Sequence, residues 1–447
     1  MQTPEDLSHA LLSAAKAAGA DAADALVVQA TSTNIDVRAG KLERAERTEE
    51  LDLGLRVFVG QQQASVSISD ISPDTLSQMA ERAVAMAKDA PVDPYAGLAD
   101  PDQLAERTDM TALEIYDDAK PLSARNLQEL ASRSEAAALT IDGVSQTQGA
   151  SAAQTHSHLH LAATNGFSAG YQRNDSMISC VAIAGEGLEM EREYDGDYRV
   201  FLQDLRSPED IGILAGTRAV ERTGAKKPPS GSYPVVFDER ISSSLIAHLL
   251  AAINGAAIAR GNSWLLDAMG TQVLPETLSL EANPHRPRVS GSRLFDAEGL
   301  PTRPRLIVEN GVLQSWTLDL ATSRKLGIPS TANAQRGTSG PPNPGISNVA
   351  LSQGTQSRAE LLDNMGTGLL VTGLIGATIN PNTGDYSRGA SGFWVENGEI
   401  TYPVNECTIA GNLIEMLRTV TPANDARLHL SRVVPSLIVE GLTIAGA

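Results

Sequence analysis

Hydrophobic positions change period twice within the first 90 residues. Leu7, Leu11, Leu12 and Ala15 recur at helical spacing behind Thr3-Pro4-Glu5, which predicts a helix over 4–19. From Ala25 to Ser69 the period falls to two. DALVVQATS, TNIDVRAGKLERAE, ELDLGLRVFVG and QASVSIS read as four strands of a meander. Ser72-Pro73-Asp74 then opens a helix through Met79, Ala83 and Met86 that ends near Ala90, and 91–109 is a connection rich in Pro, Asp and Gly.

The same order of elements recurs. A helix over 122–139 precedes strands near 143–153, 156–164, 166–185 and 190–202, and Ser207-Pro208-Glu209-Asp210 opens another helix that ends near Gly224. The expectation is an α+β fold whose N-terminal half duplicates a helix–four-strand–helix unit without residue identity. Both helix sets would be buried against one or two sheets. Lys226-Lys227-Pro228-Pro229-Ser230-Gly231 marks the boundary, giving an α+β domain over 1–227 and a β-rich domain over 228–447.

In the second domain, SYPVVFDE reads as a strand and Ile241 to Ala259 as a helix; most of the rest suits antiparallel sheets or a barrel. Val-Glu-Asn-Gly occurs at 308–311 and again at 395–398, and Asn-Gly between strands is a strong hairpin signal. The repeat suggests related hairpins in one sheet system. Residues 332–348, ANAQRGTSGPPNPGISN, are too poor in apolar side chains for a core and predict a surface loop of the kind that carries function.

The 447 residues suffice for two domains with separate cores, and an apolar fraction of 42% is that of a globular chain. A net charge of -19 with no basic block disfavours nucleic acid and anionic membrane as partners. The N-terminus carries acids where a signal peptide needs a basic region, and no apolar run reaches the ~20 residues that span a bilayer. A soluble cytoplasmic protein is expected. Cys180 and Cys407 form neither a CxxC pair nor a disulfide framework.

Eight glycines fall between Gly366 and Gly398 among β-branched and apolar residues. That density suits a sheet with positive-φ turns or close backbone approach. They encode no phosphate loop, since no G-x-x-x-x-G-K-[ST] occurs and strand patterns follow them. Within the stretch, Asp385-Tyr386-Ser387-Arg388-Gly389 places an acid, a phenol, a hydroxyl and a guanidinium on an expected loop. Either an Asp–Arg pair holds that loop, or the residues line a peptide cleft. His156, His158 and His160 alternate along a strand and share a face. The outer two stand about 13 Å apart, too far for one ion, and a solvent-facing polar face is the favoured account. Ser244 and His248 share a helical face at i, i+4, but neither a nucleophile elbow nor an orienting acid accompanies them.

The stretch from Gly366 to Leu417, with LIVENGVLQSWTLDLATSRKLG, TANAQRG, NPGISN and the N-terminal KLERAERTEELDLGLRVFVG, resembles the TldD/TldE (PmbA) family of zinc-dependent peptidases. Catalytic members of that family carry His-Glu-x-x-x-His on the helix after the domain boundary and a cysteine near the C-terminus. Here, anchored on Gly255 and Arg260-Gly261-Asn262-Ser263, those helix positions are Ile246, Ala247 and Ala251, and 424–447 lacks cysteine. None of these side chains can bind zinc or move a proton. The resemblance therefore implies a TldE (PmbA)-type subunit with no catalytic residue and no metal of its own. Zinc would reside in a TldD-type partner, and the heterodimer would enclose a cavity for unfolded peptides. Family roles include removing the leader from a microcin precursor and degrading an antitoxin. A peptide could add to an exposed strand edge, expected in the β-rich domain. Two other readings remain open: a self-sufficient hydrolase centred on His248 or Asp385–Arg388, and a homodimeric peptide-binding scaffold.

Overall fold

The computed structural model describes residues 2–446. Four helices of the first half begin on a hydroxyl cap: α1 (Pro4–Ala17), α2 (Pro73–Asp89), α3 (Ala124–Ala138) and α4 (Pro208–Glu221). Thr3, Ser72, Ser123 and Ser207 each accept a backbone N–H, satisfying donors that the first turn leaves free. Proline follows three of these caps with its φ already set for a helix.

Each half-unit holds three strands, not four. The strands are β1 (Ala22–Arg38), β2 (Lys41–Val59), β3 (Gln62–Ile68), β4 (Val144–Ala163), β5 (Ser168–Ala184) and β6 (Glu191–Arg199). They form one antiparallel sheet in the order β3-β2-β1-β4-β5-β6, so the duplication meets at the β1–β4 pair. The extra expected strands come from breaks in hydrophobic pattern within single long strands. In β1, Ala25 and Val27 pack under α1 and α2, whereas Ile35 and Val37 pack under α3 and α4. The polar residues between them lie at the seam of the two helix pairs. Strand β4 crosses the same seam at its histidines.

Helix contact on one face is close. A Cβ on Gly212 of α4 would lie 2.0 Å from the Ser134 carbonyl oxygen of α3. Gly212→Ala should therefore lose about 1–3 kcal/mol as the two helices separate, seen as a lower urea midpoint at an unchanged m-value.

The second half begins with β7 (Gly231–Phe237), α5 (Glu239–Ala252) and α6 (Gly255–Ala259). Asn254 breaks the single expected helix: its side chain caps α6 and also donates to the Pro344 carbonyl. Short strands β8 (Leu280–Ala282), β9 (Arg305–Glu309) and β10 (Val312–Leu313) follow, then α7 (Leu320–Leu326). Next come β11 (Ala334–Gln335), β12 (Asn343–Pro344), β13 (Val349–Leu351) and α8 (Arg358–Met365). The long strands are β14 (Gly368–Ile379), β15 (Asp385–Glu396) and β16 (Glu399–Asn412). The chain finishes with α9 (Leu413–Thr419), β17 (Thr421–Pro422), β18 (Arg432–Val433) and β19 (Leu437–Ala445).

Strands β16, β15, β14, β7 and β19 pair in that order, and β19 returns to β16 through Thr408–Ala410, closing a five-stranded barrel. A second sheet has the order β10-β9-β8-β13-β18. The two Val-Glu-Asn-Gly hairpins thus lie in different sheets, although Asn310-Gly311 and Asn397-Gly398 share positive φ at both residues. Closure leaves the barrel without a free edge, whereas the second sheet of this domain is open and ends at β10 and β18. A longer free edge lies on β2, where residues 41–52 have β1 on one side and no described strand on the other. Its charged side chains protect it.

The back of the six-stranded sheet packs on the second half through Leu26, Leu161, Phe167, Leu294 and Phe295. Residues 332–348 are not a detached surface loop. Ala332 and Ala334 are buried, and a Cβ on Gly54 would fall 2.3 Å from the Thr338 carbonyl oxygen. The segment is wedged against the sheet, and glycine at 54 lets it approach. No helix among the described residues is long and apolar enough to cross a membrane.

Candidate functional site

Strand β7 delivers the chain to α5 through Asp238, whose carboxylate caps the helix by accepting the Arg240 N–H at 3.1 Å. Burial opposes ionisation of Asp238, but the guanidiniums of Arg240 and Arg358 outweigh it and hold its pKa low. This charged collar continues into the first half, where Glu193 pairs with both Arg222 and Arg240. Arg222 also donates to Ser391 of β15 at 2.9 Å. Two cavities of about 490 and 610 Å³ flank this junction and share Thr372 on their walls.

On α5 itself the sequence places side chains without metal-ligand chemistry. Ile246 is fully buried in the main core beside Leu245 and Leu249, whereas Ala251 is exposed. Positions five apart on an unbroken α-helix point about 140° away from each other. Ile246 and Ala251 accordingly diverge, and Ala247 is half-buried between them. Among the described residues, no three His, Cys, Asp or Glu side chains gather where they could hold a metal ion. The described side chains at these α5 positions do not fit a zinc site. Both cysteines are buried; burial pushes the thiol of Cys407 up to about 11 and that of Cys180 up to about 12, leaving neither as a ready thiolate.

Asp385, Tyr386, Ser387, Arg388 and Gly389 are the first residues of β15, not a loop, so their side chains alternate between two faces. The expected Asp–Arg pair is not formed. Asp385 accepts from Thr383 at 2.6 Å and Asn412 at 3.2 Å, whereas Arg388 Nε donates to the Gly376 carbonyl at 2.6 Å. Those bonds, Thr383 first, hold the Asp385 carboxyl below its usual range.

Tyr386 instead turns inward and meets His248, with ring centroids 5.9 Å apart and planes at 76°. Burial pushes the Tyr386 phenol up to about 12, against the pull of Arg388. Burial, then Arg388, lowers the His248 pKa, so this imidazole is neutral at pH 7. The Ser244 hydroxyl and His248 Nε2 are both buried without a partner, so they form no hydrogen-bonded dyad. Sequence spacing could not join residues 248 and 386; only strand pairing in the closed barrel does.

The three β4 histidines face the helix layer, not solvent. His160 is buried and its Nδ1 lies 2.8 Å from Ser8 Oγ of α1, while His156 Nδ1 lies 3.1 Å from Asn174 Oδ1. Burial lowers the pKa of His158 and His160. These are packed residues at the helix seam.

Three family models cover nearly all of the chain: PmbA/TldA metallopeptidase domain 1 over 23–87, the central domain over 117–224 and the C-terminal domain over 230–446. The chain belongs to the TldD/TldE (PmbA) family of metallopeptidases. Metalloprotease PmbA of Escherichia coli O157:H7 is 36% identical over 428 residues, covering 95% of this chain and 92% of that protein. A PmbA homologue from Haemophilus influenzae is also 36% identical, covering 96% and 93%. A crystal structure of a candidate DNA gyrase modulator from Bacteroides thetaiotaomicron covers both chains fully at a TM-score of 0.91 and 28% identity. TldE from Thermococcus kodakarensis shares the fold at a TM-score of 0.84 and 21% identity, covering 98% of this chain and 99% of its own. The mixed α+β architecture with a barrel in the C-terminal half is therefore that of the TldD/TldE (PmbA) family.

Proposed function

We propose that this chain is a metal-free TldE (PmbA)-type subunit. It would form part of the cleft of a two-subunit peptidase for unfolded peptides, while a TldD-type partner supplies zinc. The observation that carries the reading is the chemistry of α5. Isoleucine in the core at 246 and alanine at 247 and 251 supply no lone pair and no proton relay. Arg388, half-buried next to His248 of that helix, offers a guanidinium suited to contacting a bound peptide, with Tyr386 packed beneath His248.

Titration of the chain with a TldD-type catalytic subunit tests this. A one-to-one complex should appear by mass, and chelator-sensitive cleavage of an unfolded peptide should rise at least tenfold over either chain alone. Stoichiometric zinc or chelator-sensitive cleavage in the isolated chain would refute the proposal. Homodimers that ignore the catalytic subunit would favour a peptide-binding scaffold instead. The meeting of His248 with Tyr386 keeps a self-sufficient hydrolase as the second reading. That reading requires activity in the isolated chain that disappears in His248→Gln and in Arg388→Met.

A further inference from the structure

A cavity of about 260 Å³ lies between the back of the six-stranded sheet and the second half, remote in sequence from α5 and β15. Leu26, Leu161 and Tyr171 of the sheet form its apolar wall, with Phe295 opposite. Two guanidiniums reach it, from Arg293 and Arg336. The Nε and Nη2 atoms of Arg293 are buried and have no acceptor among the described residues. Arg336 uses Nη1 to pair with Asp24, while its buried Nε likewise has none. Unsatisfied N–H groups on buried cations are costly, which makes a ligand-borne acceptor the natural complement.

The neighbouring acids do not provide that acceptor. Asp24 is shared between Arg56 and Arg336. Asp296 accepts three backbone N–H groups, from Glu298, Leu300 and Ala334, at 2.9 to 3.0 Å. Burial and the Asp296 charge push the Glu298 carboxyl up to about 8, so it is mostly protonated at neutral pH. Arg293 and Arg336 thus keep buried N–H groups without an acceptor beside an apolar chamber.

We infer that this cavity binds a small carboxylate with an apolar body, received by the free N–H groups of Arg293 and Arg336. A carboxylate accepts charge-assisted hydrogen bonds from guanidinium, while the apolar wall favours a branched or aromatic substituent. The volume suits about one residue. The ligand is either the C-terminal residue of an apolar peptide or a free apolar acid. The site is built by this chain alone, so it stands or falls independently of assembly with a zinc-bearing subunit.

Calorimetric titration of the full chain with N-acetyl-leucine, its uncharged amide, an Ala-Ala-Leu peptide and inorganic phosphate provides the test. N-acetyl-leucine should bind saturably at one site, with the amide at least tenfold weaker and phosphate without saturable heat. Equal binding of Ala-Ala-Leu identifies a peptide C-terminus as the ligand; its exclusion identifies a free acid. Arg293→Gln, checked for native circular dichroism, should weaken N-acetyl-leucine at least tenfold. The comparison of acid with amide on the unmodified protein needs no folded variant. Absence of binding by either carboxylate, equal binding of the amide, or saturable phosphate binding each overturns the assignment.

Discussion

Asp24→Asn should destabilise the protein by about 3–5 kcal/mol, the cost of breaking a buried ion pair from one side. Asp24 is buried on β1 and receives Arg56 from β2 and Arg336 from the 332–348 segment. Burial disfavours its charge, but Arg336 and Arg56 more than compensate and hold its pKa below the usual carboxylate range. Asparagine keeps the shape and deletes the anion, leaving two guanidiniums facing each other. The loss should appear as a lower urea midpoint, together with earlier proteolysis near Thr338, because Arg336 ties that segment to the sheet. The arrangement is one of specificity more than net gain. Asp24→Leu, Arg56→Met and Arg336→Met combined should recover most of the loss. A single Asp24→Asn change below about 1 kcal/mol would show that solvent reaches the cluster.

Local signals told most about where elements begin. Thr3, Ser72 and Ser207, each followed by proline, are helix caps in the structure, and both Asn-Gly pairs make hairpins. Their physics lies within a few residues of chain, so one sequence suffices to read them. Strand count was less legible, because β1 serves two helix pairs and its polar middle imitates a turn. The short helices α7 and α8 were also hidden. Each is fixed by a capping box and by packing, with too few turns to display a period.

At the candidate site, side-chain identity was legible and placement was not. The apolar character of Ile246, Ala247 and Ala251 is visible in the sequence; the burial of Ile246 in the barrel core is not. Asp385 to Gly389 contain loop-like residue types, yet backbone pairing with 408–412 makes them a strand. The Arg293–Arg336 chamber gave no warning. Its residues come from five separated segments, and the polar 332–348 stretch looked like solvent-exposed chain. Burial there is bought by ion pairs and backbone donors, which hydropathy does not register.

Glu298→Gln should stabilise the protein at pH 8 by a few kcal/mol and flatten its stability between pH 5 and 8. Glu298 is buried, and its carboxyl is pushed up to about 8 from 4.5 by desolvation and by Asp296, with Arg56 pulling the other way. Between those two values the unfolded chain has released this proton while the folded chain retains it. The folded state therefore binds more protons, so its stability falls as pH rises from 4.5 and levels off above 8. Each unit of displacement corresponds to about 1.4 kcal/mol, and coupling to Asp296 spreads part of it over the pair. Glutamine resembles the protonated acid and can still accept the Leu320 N–H, which lies 2.9 Å from Glu298 Oε2. Urea midpoints at pH 5, 6.5 and 8 should converge for the variant and decline for the parent. Parallel profiles would mean that Glu298 is ionised in the fold. An ionised Glu298 would add an anion beside Asp296, so this titration also reads the charge near the chamber independently of any ligand.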